Sequence, residues 1–434
     1  MLAFVCSADG PSAWLELADI TGRHYRLTPV LNTQNATDYF VETIEKESSQ
    51  QVVLGTLSLG NFAQIGARFV LSPVVPLVIL EYDVAKASVG LVLTGMWAVY
   101  GLSQFPSGVL ADRYGERRIL FMGIASTATG SALIALAPAF SIFGMFALLL
   151  GIGAGLFFTP GASLLSTLFE DDGKALGVFT AAAAAAGVVY PAVGGFVGGS
   201  IGWRYAVGVS ALVPIPIALA ILLWIPAPSA GTPTEGSSTI VDLGRIRSLL
   251  GRPGVIYSIL LAVMFGFVFQ AITSFLPTFL QEYHGLTTGM AGITFGIMFA
   301  LSAIVQPVTG AFSDRTSRDI ALGITALTTG TAILILLFIP GLTAVLLGTI
   351  VLGTGMSWPG VLQARLMDQL PEDRRGFGFG FMRTVYMFFA ATGSIVVGTI
   401  ADQGGWQLGY GSIAALLCVT ILILASGAVY RRWE

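Results

Sequence analysis

The chain has 434 residues, of which 55% are hydrophobic and only 10% are charged, and its formal net charge is −3. Soluble chains of this length carry about 25% charged residues. This chain therefore has too little polar surface to cover a water-facing globule, and its composition excludes a soluble protein. The slightly acidic balance also argues against a nucleic-acid partner.

Cysteine and histidine are too sparse to build a disulfide framework or a metal site. Cys6 and Cys418 lie at opposite ends of the chain, one in a polar segment and the other in an apolar run. His24 and His284 belong to separate segments, and no cysteine–histidine cluster has metal-ligand spacing. The chain also lacks a GxxxxGK[ST] phosphate loop. We therefore expect no metal, no cofactor, no ATP-driven motor and no enzymatic activity.

Residues 1–51 form a polar segment before the first long apolar run. Its first 50 residues hold seven acidic against three basic side chains. The first charged residue is Asp9, so no basic region precedes an apolar core, and the segment does not resemble a secretory signal. We predict a polar, partly disordered N-terminal tail on the cytoplasmic side of a membrane.

Long apolar runs follow this tail, and a bilayer-spanning helix needs roughly 20 apolar residues. On that criterion the chain contains twelve predicted spans. They cover 52–80, 88–111, 118–138, 142–168, 175–198, 203–226, 254–282, 289–312, 320–339, 341–366, 376–400 and 407–430. The predicted fold class is therefore an all-α polytopic membrane protein with twelve transmembrane helices.

The longest polar interruption, residues 227–253, divides these spans into six plus six. It predicts an N-terminal bundle over 52–226, a cytoplasmic linker, and a C-terminal bundle over 254–434. Within the linker, apolar residues alternate with Arg245 and Arg247. That pattern predicts a short helix over 243–250 lying on the inner membrane surface.

Lysine and arginine in short loops predict the orientation, because cytoplasmic loops are enriched in them. One set of loops and the C-terminal segment hold nearly all of these residues: Arg113, Arg117, Arg118, Lys174, Arg245, Arg247, Arg252, Arg315, Arg318, Arg365, Arg374, Arg375, Arg431 and Arg432. The opposite loops hold only Lys86 and Arg204. We therefore predict a multi-pass protein of the cytoplasmic membrane with both termini in the cytoplasm.

The two halves also repeat in sequence. The segment GVLADR at 108–113 recurs as GAFSDR at 310–315, displaced by 202 residues. Three further landmarks recur in the same order: Gly153, Gly155 and Pro160 as Gly353, Gly355 and Pro359; Gly202 and Trp203 as Gly405 and Trp406; and Pro76 as Pro277. Such repeats are typical of secondary transporters, whose substrate site lies near mid-membrane between the halves.

Residues 108–118, GVLADRYGERR, resemble the signature of the major facilitator superfamily between helices two and three. The matching positions are Gly108, Asp112, Arg113, Gly115, Arg117 and Arg118, with a degraded second copy at Gly310, Asp314 and Arg315. The resemblance implies that Asp112, with Arg113 and Arg117, forms a gating latch with the start of helix eleven, near Gly376. Symmetry implies that Asp314 forms a second latch with the start of helix five, near Gly173. Both form only when the inner side is closed. The alternative is that these charges determine topology alone.

Arg68 lies about midway along the first span. Placing arginine at the bilayer centre costs at least ~2.5–3.5 kcal/mol, so this side chain needs a partner or a wet cavity. Asn61, Gln64 and Arg68 share one helix face by their spacing. We predict that this stripe binds substrate; the alternative is a structural arginine bonded to backbone carbonyls.

The equivalent seventh span carries a second polar stripe at Gln270, Thr273 and Ser274, and we expect the two stripes to face each other across a central cavity. Trp358 and Tyr386 are further candidates for its lining. Arg383 lies nearer a helix end, where it fits an inner gate. Similar organophosphate exchangers place a basic residue on both helices. Glutamine at the second position instead favours a singly charged or partly anionic solute.

A competing resemblance lies in the fifth span. Pro191, Gly194 and Gly195 are similar to the end of the antiporter motif of drug–proton exchangers, although Tyr190 stands where that motif has glycine. Such exchangers need a titratable group, and the predicted spans contain no acid away from their ends.

Three functional hypotheses follow from the sequence. The first is a monomeric alternating-access carrier for a small polar or anionic organic solute, driven by a gradient, by exchange or by a coupling ion. The second is a drug/proton antiporter that exports lipophilic compounds. The third, from another class, is a non-transporting membrane sensor with the carrier fold.

Overall fold

The computed structural model of the chain describes residues 3–7, 14–18, 24–27, 33–169, 172–225, 248, 250–370 and 375–430. The strands are β1 (Ala3–Ser7), β2 (Trp14–Ala18) and β3 (His24–Leu27). The helices are α1 (Thr33–Phe69), α2 (Leu71–Tyr82), α3 (Lys86–Tyr114), α4 (Glu116–Ala135), α5 (Phe140–Leu168), α6 (Asp172–Ile201), α7 (Trp203–Leu212), α8 (Pro214–Trp224), α9 (Pro253–His284), α10 (Thr288–Arg315), α11 (Arg318–Phe338), α12 (Gly341–Gly355), α13 (Pro359–Asp368) and α14 (Arg375–Tyr430).

The first of two compact units, Met1–Gly55, contains a small antiparallel sheet. The strands pair in the order β1-β2-β3, with Ala3 opposite Ala18 and Leu15 opposite Leu27. A partly disordered tail was predicted, so this sheet is a difference from the sequence analysis. Short apolar runs that look too brief to fold alone satisfy their backbone groups by pairing with one another.

In the second unit, Thr56–Glu434, every regular element that the structure describes is a helix, and helices occupy all twelve predicted spans. Among the described residues, ten helices are long and apolar enough to cross a membrane. One of them, Gly378–Ser426, contains two helices that meet at Gly405, where φ is +76°. The all-α class is confirmed for this membrane domain.

The outer surface of the helical unit is apolar and suits a lipid environment. Large apolar side chains point outward along the helices, including Leu80 at 79%, Phe196 at 69% and Leu422 at 68% exposure. A soluble monomer rarely exposes contiguous apolar patches on this scale. The outward apolar faces therefore support the prediction, made from composition, that a bilayer surrounds the domain.

Two helix pairs make the most extensive contacts between the halves of the membrane domain, α3 with α14 and α6 with α10, and α2 adds contacts with α9 and α10. The second pair is close because both helices have glycine at the contact. A Cβ atom added to Gly292 would lie 2.2 Å from the Pro191 carbonyl oxygen, and one added to Gly195 would lie 2.6 Å from the Thr288 carbonyl oxygen. Small residues allow this approach of backbones. The antiporter-like segment at Pro191 thus forms part of the contact between the halves.

The internal repeat is visible in the geometry as well as in the sequence. Gly202 and Gly405 have φ of +113° and +76°, a region that favours glycine, and a tryptophan follows each. The Trp203 indole N–H donates to Glu81, and the Trp406 indole N–H donates to Glu282 at 2.9 Å. In each half, therefore, the tryptophan that begins the sixth membrane span donates a hydrogen bond to a glutamate at the end of the first span.

One arginine assigned to the cytoplasmic loops is buried instead. Arg365 on α13 forms an ion pair with Asp319 at the start of α11, and both side chains are 5% exposed. The Arg365 guanidinium carbon also lies 4.9 Å from the centroid of the Tyr257 ring. The acid partner is 46 residues away in sequence, so loop position alone could not reveal the pair.

The predicted linker and its surface helix lie mostly outside the described residues. So do Arg431 and Arg432 and the side chains near Gly376. The division into bundles over 52–226 and 254–434, with a linker over 227–253, stays a prediction.

Candidate substrate site

Arg68 ends a chain of polar side chains along α1. Its Nε donates to the Gln64 carbonyl oxygen at 3.2 Å, and its Nη2 donates to Gln64 Oε1 at 3.0 Å. Gln64 Nε2 donates to Asn61 Oδ1 at 2.8 Å, and Asn61 Nδ2 donates to the Phe179 carbonyl oxygen at 2.8 Å. The predicted stripe is thus one connected network, anchored on helix α6.

The Arg68 guanidinium is buried but incompletely bonded. The side chain is 1% exposed, and its Nη1 has no hydrogen-bond partner. Two rings of α3 face it: its guanidinium carbon lies 4.4 Å from the centroid of Trp97 and 4.1 Å from that of Tyr100. Cation–π contacts of this kind stabilise a desolvated cation without neutralising its charge. One nitrogen of this buried cation, Nη1, therefore has no hydrogen-bond partner in this conformation.

Arg383, predicted as an inner-gate residue, lies close to Arg68. The two guanidinium groups repel each other, and Tyr100 interacts with both. The Arg383 guanidinium carbon lies 4.7 Å from the Phe158 ring centroid, and its buried Nε has no hydrogen-bond partner. Tyr386, a predicted lining residue, lies beside Arg383 one turn further along α14. The structure therefore brings two cations, not one, to this place.

The polar stripe of α9 contacts other helices instead of Arg68. The Gln270 side-chain oxygen accepts from Thr273 at 3.4 Å, and the Gln270 carbonyl oxygen accepts from Ser394 at 3.5 Å. The Ser274 and Ser394 hydroxyls are 2.6 Å apart, and Ser72 donates to the Thr273 carbonyl oxygen at 2.6 Å. In this conformation the stripe joins α9 to α2 and α14. Its predicted role in binding stays a prediction.

Trp358 lies in an aromatic row that runs between the halves. Its ring centroid is 5.3 Å from Phe265 and 6.1 Å from Phe269. Phe269 contacts Phe299, which packs 4.8 Å from Phe69, the neighbour of Arg68. Trp358 is 7% exposed. In this conformation it packs against aromatic side chains in the core.

At one end of the membrane domain, here called the Lys86 end, charged residues connect the two halves. The Lys86 ammonium lies 3.1 Å from Glu282 and 4.0 Å from Asp402. Asp402 also accepts hydrogen bonds from the backbone N–H groups of Lys86 at 3.1 Å and Ala87 at 2.7 Å. The second half thus supplies a carboxylate to the positive N-terminus of α3.

This connection arises where the repeat is imperfect. In the first half Arg204 donates to Glu81 at 2.6 Å and to the Tyr82 hydroxyl at 3.2 Å. At the equivalent position of the second half stands Gln407, which donates to the Tyr283 hydroxyl at 3.1 Å. Glutamine carries no charge to pair with Glu282. That carboxylate is therefore free to bind Lys86 across the interface.

Gln407→Arg should weaken the connection at the Lys86 end, because it gives Glu282 a cation in its own half. We expect the Lys86–Glu282 coupling energy, measured by a double-mutant cycle on thermal stability, to fall by about half or more from a starting value of at most ~1 kcal/mol for a partly exposed pair. Gln407→Met is the matched control, since it adds no charge. An unchanged coupling in Gln407→Arg would contradict this account.

The motif copies lie at the opposite end, here called the Asp112 end. Asp112 and Arg113 are exposed, and a Cβ atom added to Gly310 or Gly173 would meet nothing within 4 Å. Asp314 pairs with Arg318 of its own half. Among the described residues, no hydrogen bond or ion pair joins the halves at this end. The structure is therefore closed at the Lys86 end.

The remaining motif residues shape the turn between α3 and α4. Gly115 has φ of +86°, which explains glycine there. Arg117 donates to the Leu222 carbonyl oxygen at the end of α8, and Gly108 lies opposite Thr159. Arg118 and Arg315 are exposed. The predicted latch roles of these residues stay predictions.

Sequence reasoning missed the aromatic face on Arg68 and the residues of the Lys86 end. Trp97 and Tyr100 are spaced i, i+3, which marks one helix face, but nothing in the sequence relates that face to Arg68. Lys86 and Asp402 are 316 residues apart. The sequence did mark Lys86 as one of only two basic residues in the loops on its side of the membrane.

The model of the Major Facilitator Superfamily matches residues 57–364. This chain belongs to that family. It is therefore a transporter-family protein and not an enzyme, and the resemblance inferred from residues 108–118 is confirmed.

Curated relatives differ in what their names describe. The "Transcription regulatory protein OpdE" of Pseudomonas aeruginosa is 27% identical over 404 residues, which cover 90% of this chain and 97% of that protein. The "Probable nitrate transporter NarT" of Staphylococcus epidermidis is 27% identical over 277 residues, covering 62% of this chain and 68% of that protein.

Solved structures agree on the fold. A bacterial homologue of the human lysosomal transporter Spinster, crystallised in an inward-facing and occupied conformation, superposes with a TM-score of 0.76. The alignment covers 87% of this chain and 96% of that chain at 16% identity. At such identity the likeness supports the fold alone.

Proposed function

We propose that this transporter moves a small polar or anionic organic solute across the cytoplasmic membrane by alternating access, and that Arg68 supplies the charge that attracts the solute. The observation that carries the proposal is a buried guanidinium with an unpartnered Nη1 and no ion pair among the described residues. Intramembrane charges of this kind are usually functional, because an idle one is costly to bury.

The direction of opening supports a carrier cycle. The halves are connected at the Lys86 end and unconnected by described polar contacts at the Asp112 end. With both termini in the cytoplasm, as the loop charges predict, this arrangement is the inward-facing state. Opening to the other side requires breaking the contacts of Lys86 with Glu282 and Asp402. A solute that binds both states then selects which end opens.

The name of the nitrate transporter NarT among the relatives supports an anionic cargo. A second candidate function, a non-transporting membrane sensor with the carrier fold, is favoured by the name of OpdE, whose match spans nearly the whole chain. Export of lipophilic cations is disfavoured, because Arg68 and Arg383 would repel a cation at this site.

Thermal-shift binding tests the proposal with nitrate, lactate, succinate, glucose and tetraphenylphosphonium. At least one anion should raise the Tm of the purified full chain, and Arg68→Gln should abolish that shift, because it removes the cation while keeping a polar side chain. Arg252→Gln, which removes an exposed arginine just before the start of α9, serves as the matched control and should keep the shift.

Proteoliposomes distinguish the candidate functions. Uptake of the stabilising anion supports the carrier, whereas binding without flux supports the sensor. Stabilisation by tetraphenylphosphonium that persists in Arg68→Gln would overturn the proposal in favour of export.

A further inference from the structure

We propose that Arg383 is a second anion-binding residue, and that one small oxyanion, a carboxylate or an inorganic oxyanion, is held by Arg68 and Arg383 at the same time. This inference rests on the proposed function, because it names the ligand class of the same site. It also changes the role of Arg383 from inner-gate residue to substrate contact.

Both guanidinium groups have an N–H with no acceptor in the protein. For Arg68 this is Nη1, and for Arg383 it is Nε; both atoms are buried. A buried donor left without a partner is costly, and more so when it is charged. Although the Tyr100 hydroxyl interacts with both guanidinium groups, Nη1 of Arg68 and Nε of Arg383 stay without a partner, and an acceptor shared by the two residues would complete both.

The charges of the two residues lead to the same conclusion. The guanidinium groups repel each other, and no ion pair involves either one within the part of the chain that the structure describes. Tyr100, which touches both, is a neutral phenol donor or acceptor and cannot cancel two positive charges. An anion between them removes the repulsion and supplies the acceptors together.

Aromatic side chains restrict how a ligand can approach. Rings of Trp97 and Tyr100 lie against the Arg68 guanidinium, and the Phe158 ring lies against that of Arg383. These contacts are between the rings and the guanidinium carbons, so they use none of the N–H donors, which lie at the edges of the planar groups. The edges carry the N–H donors, whose fork matches the paired oxygens of a carboxylate or another oxyanion.

The two arginines belong to opposite halves of the carrier. Arg68 lies on α1 and Arg383 on α14, which packs along α3 of the first half. An oxyanion bound by both therefore links the halves near the membrane centre. Its binding energy favours states in which α14 stays against the first half.

Titration calorimetry of the purified full chain tests the inference. Nitrate, lactate and succinate are titrated at constant ionic strength into the wild type, Arg68→Gln, Arg383→Gln, the double variant and the Arg252→Gln control. For any anion that binds the wild type, each single variant should weaken binding at least tenfold, which corresponds to about 1.4 kcal/mol. The double variant should lose little more, because each single change already breaks the shared contact.

The outcomes separate this inference from the proposed function. If Arg68→Gln loses binding while a folded Arg383→Gln keeps wild-type affinity, the role of Arg383 is overturned and the proposed function stands. If no anion binds the wild type, both fail. Should Arg383→Gln not fold, Arg383→Lys decides: it keeps the charge but not the fork, so unchanged affinity overturns the inference and a several-fold loss supports it. Binding of nitrate would identify an inorganic oxyanion as the ligand, whereas binding of lactate or succinate would identify a carboxylate.

Discussion

Arg365→Met is expected to lower the free energy of unfolding by about 3–5 kcal/mol, because it removes the cation from a buried ion pair with Asp319. Both side chains of this pair are 5% exposed, so water cannot replace the lost partner. Methionine fills a similar volume and keeps the contact with Tyr257 apolar. Chemical denaturation in mild detergent, followed by tryptophan fluorescence, measures the change.

Two controls show whether burial is the cause. The double variant Arg365→Met with Asp319→Leu removes both charges and should recover most of the lost stability, since well-packed apolar replacements of buried pairs are often neutral. Arg318→Met removes an arginine whose ion pairs with Asp314 and Asp368 are partly exposed, and it should cost at most ~1 kcal/mol. An Arg365→Met protein as stable as Arg318→Met would contradict the explanation.

Asp402→Ala should shift the carrier towards opening at the Lys86 end by roughly tenfold. It removes the carboxylate that accepts from the N–H groups of Lys86 and Ala87, and loss of a cap of this kind costs about 0.5–2 kcal/mol. It also removes one of the two acids beside the Lys86 ammonium. Since these contacts exist only when this end is closed, their loss destabilises the closed state alone.

Thiol labelling measures that shift. Ser72 is 5% exposed and donates to the Thr273 carbonyl oxygen between the halves, so Ser72→Cys reports opening when Cys6 and Cys418 are replaced by serine. Reaction with a small membrane-impermeant thiosulfonate should accelerate about tenfold in Asp402→Ala. Gln403→Ala, one residue along the same exposed turn, is the matched control. Equal rates in the two variants would show that Asp402 does not hold this end closed.

Together these sites describe a carrier whose two ends are built differently. At the Lys86 end, the contact between Lys86 and Glu282 joins the halves because Gln407 stands where the first half has Arg204. At the Asp112 end, Asp112 and Arg113 are exposed, while Arg117 and Asp314 bind partners within their own halves. The central arginines lie between them. Under the proposed function, a solute bound there would act on an equilibrium that these end contacts already bias.

The sequence predicted the membrane fold well because its signals are local. Spans follow from hydropathy over about 20 residues, and the repeat follows from landmarks such as Trp203 and Trp406 at a near-constant offset. Arg68 could be singled out for the same reason, since a deep cation is anomalous in its own helix whatever surrounds it. The family signature at 108–118 added specificity that composition lacks.

The sequence alone thus determined the helical class, the repeat and one candidate cation. Tertiary structure decided which side chains meet: Arg383 beside Arg68, Asp319 beside Arg365, Asp402 beside the start of α3. Helix packing brings together residues that are far apart in the sequence, and local sequence patterns do not predict those contacts. The repeat suggested that the polar stripe at Gln270 would face Arg68, whereas in the structure Gln270 bonds to Thr273 and Ser394 and the charge of Arg383 acts on Arg68.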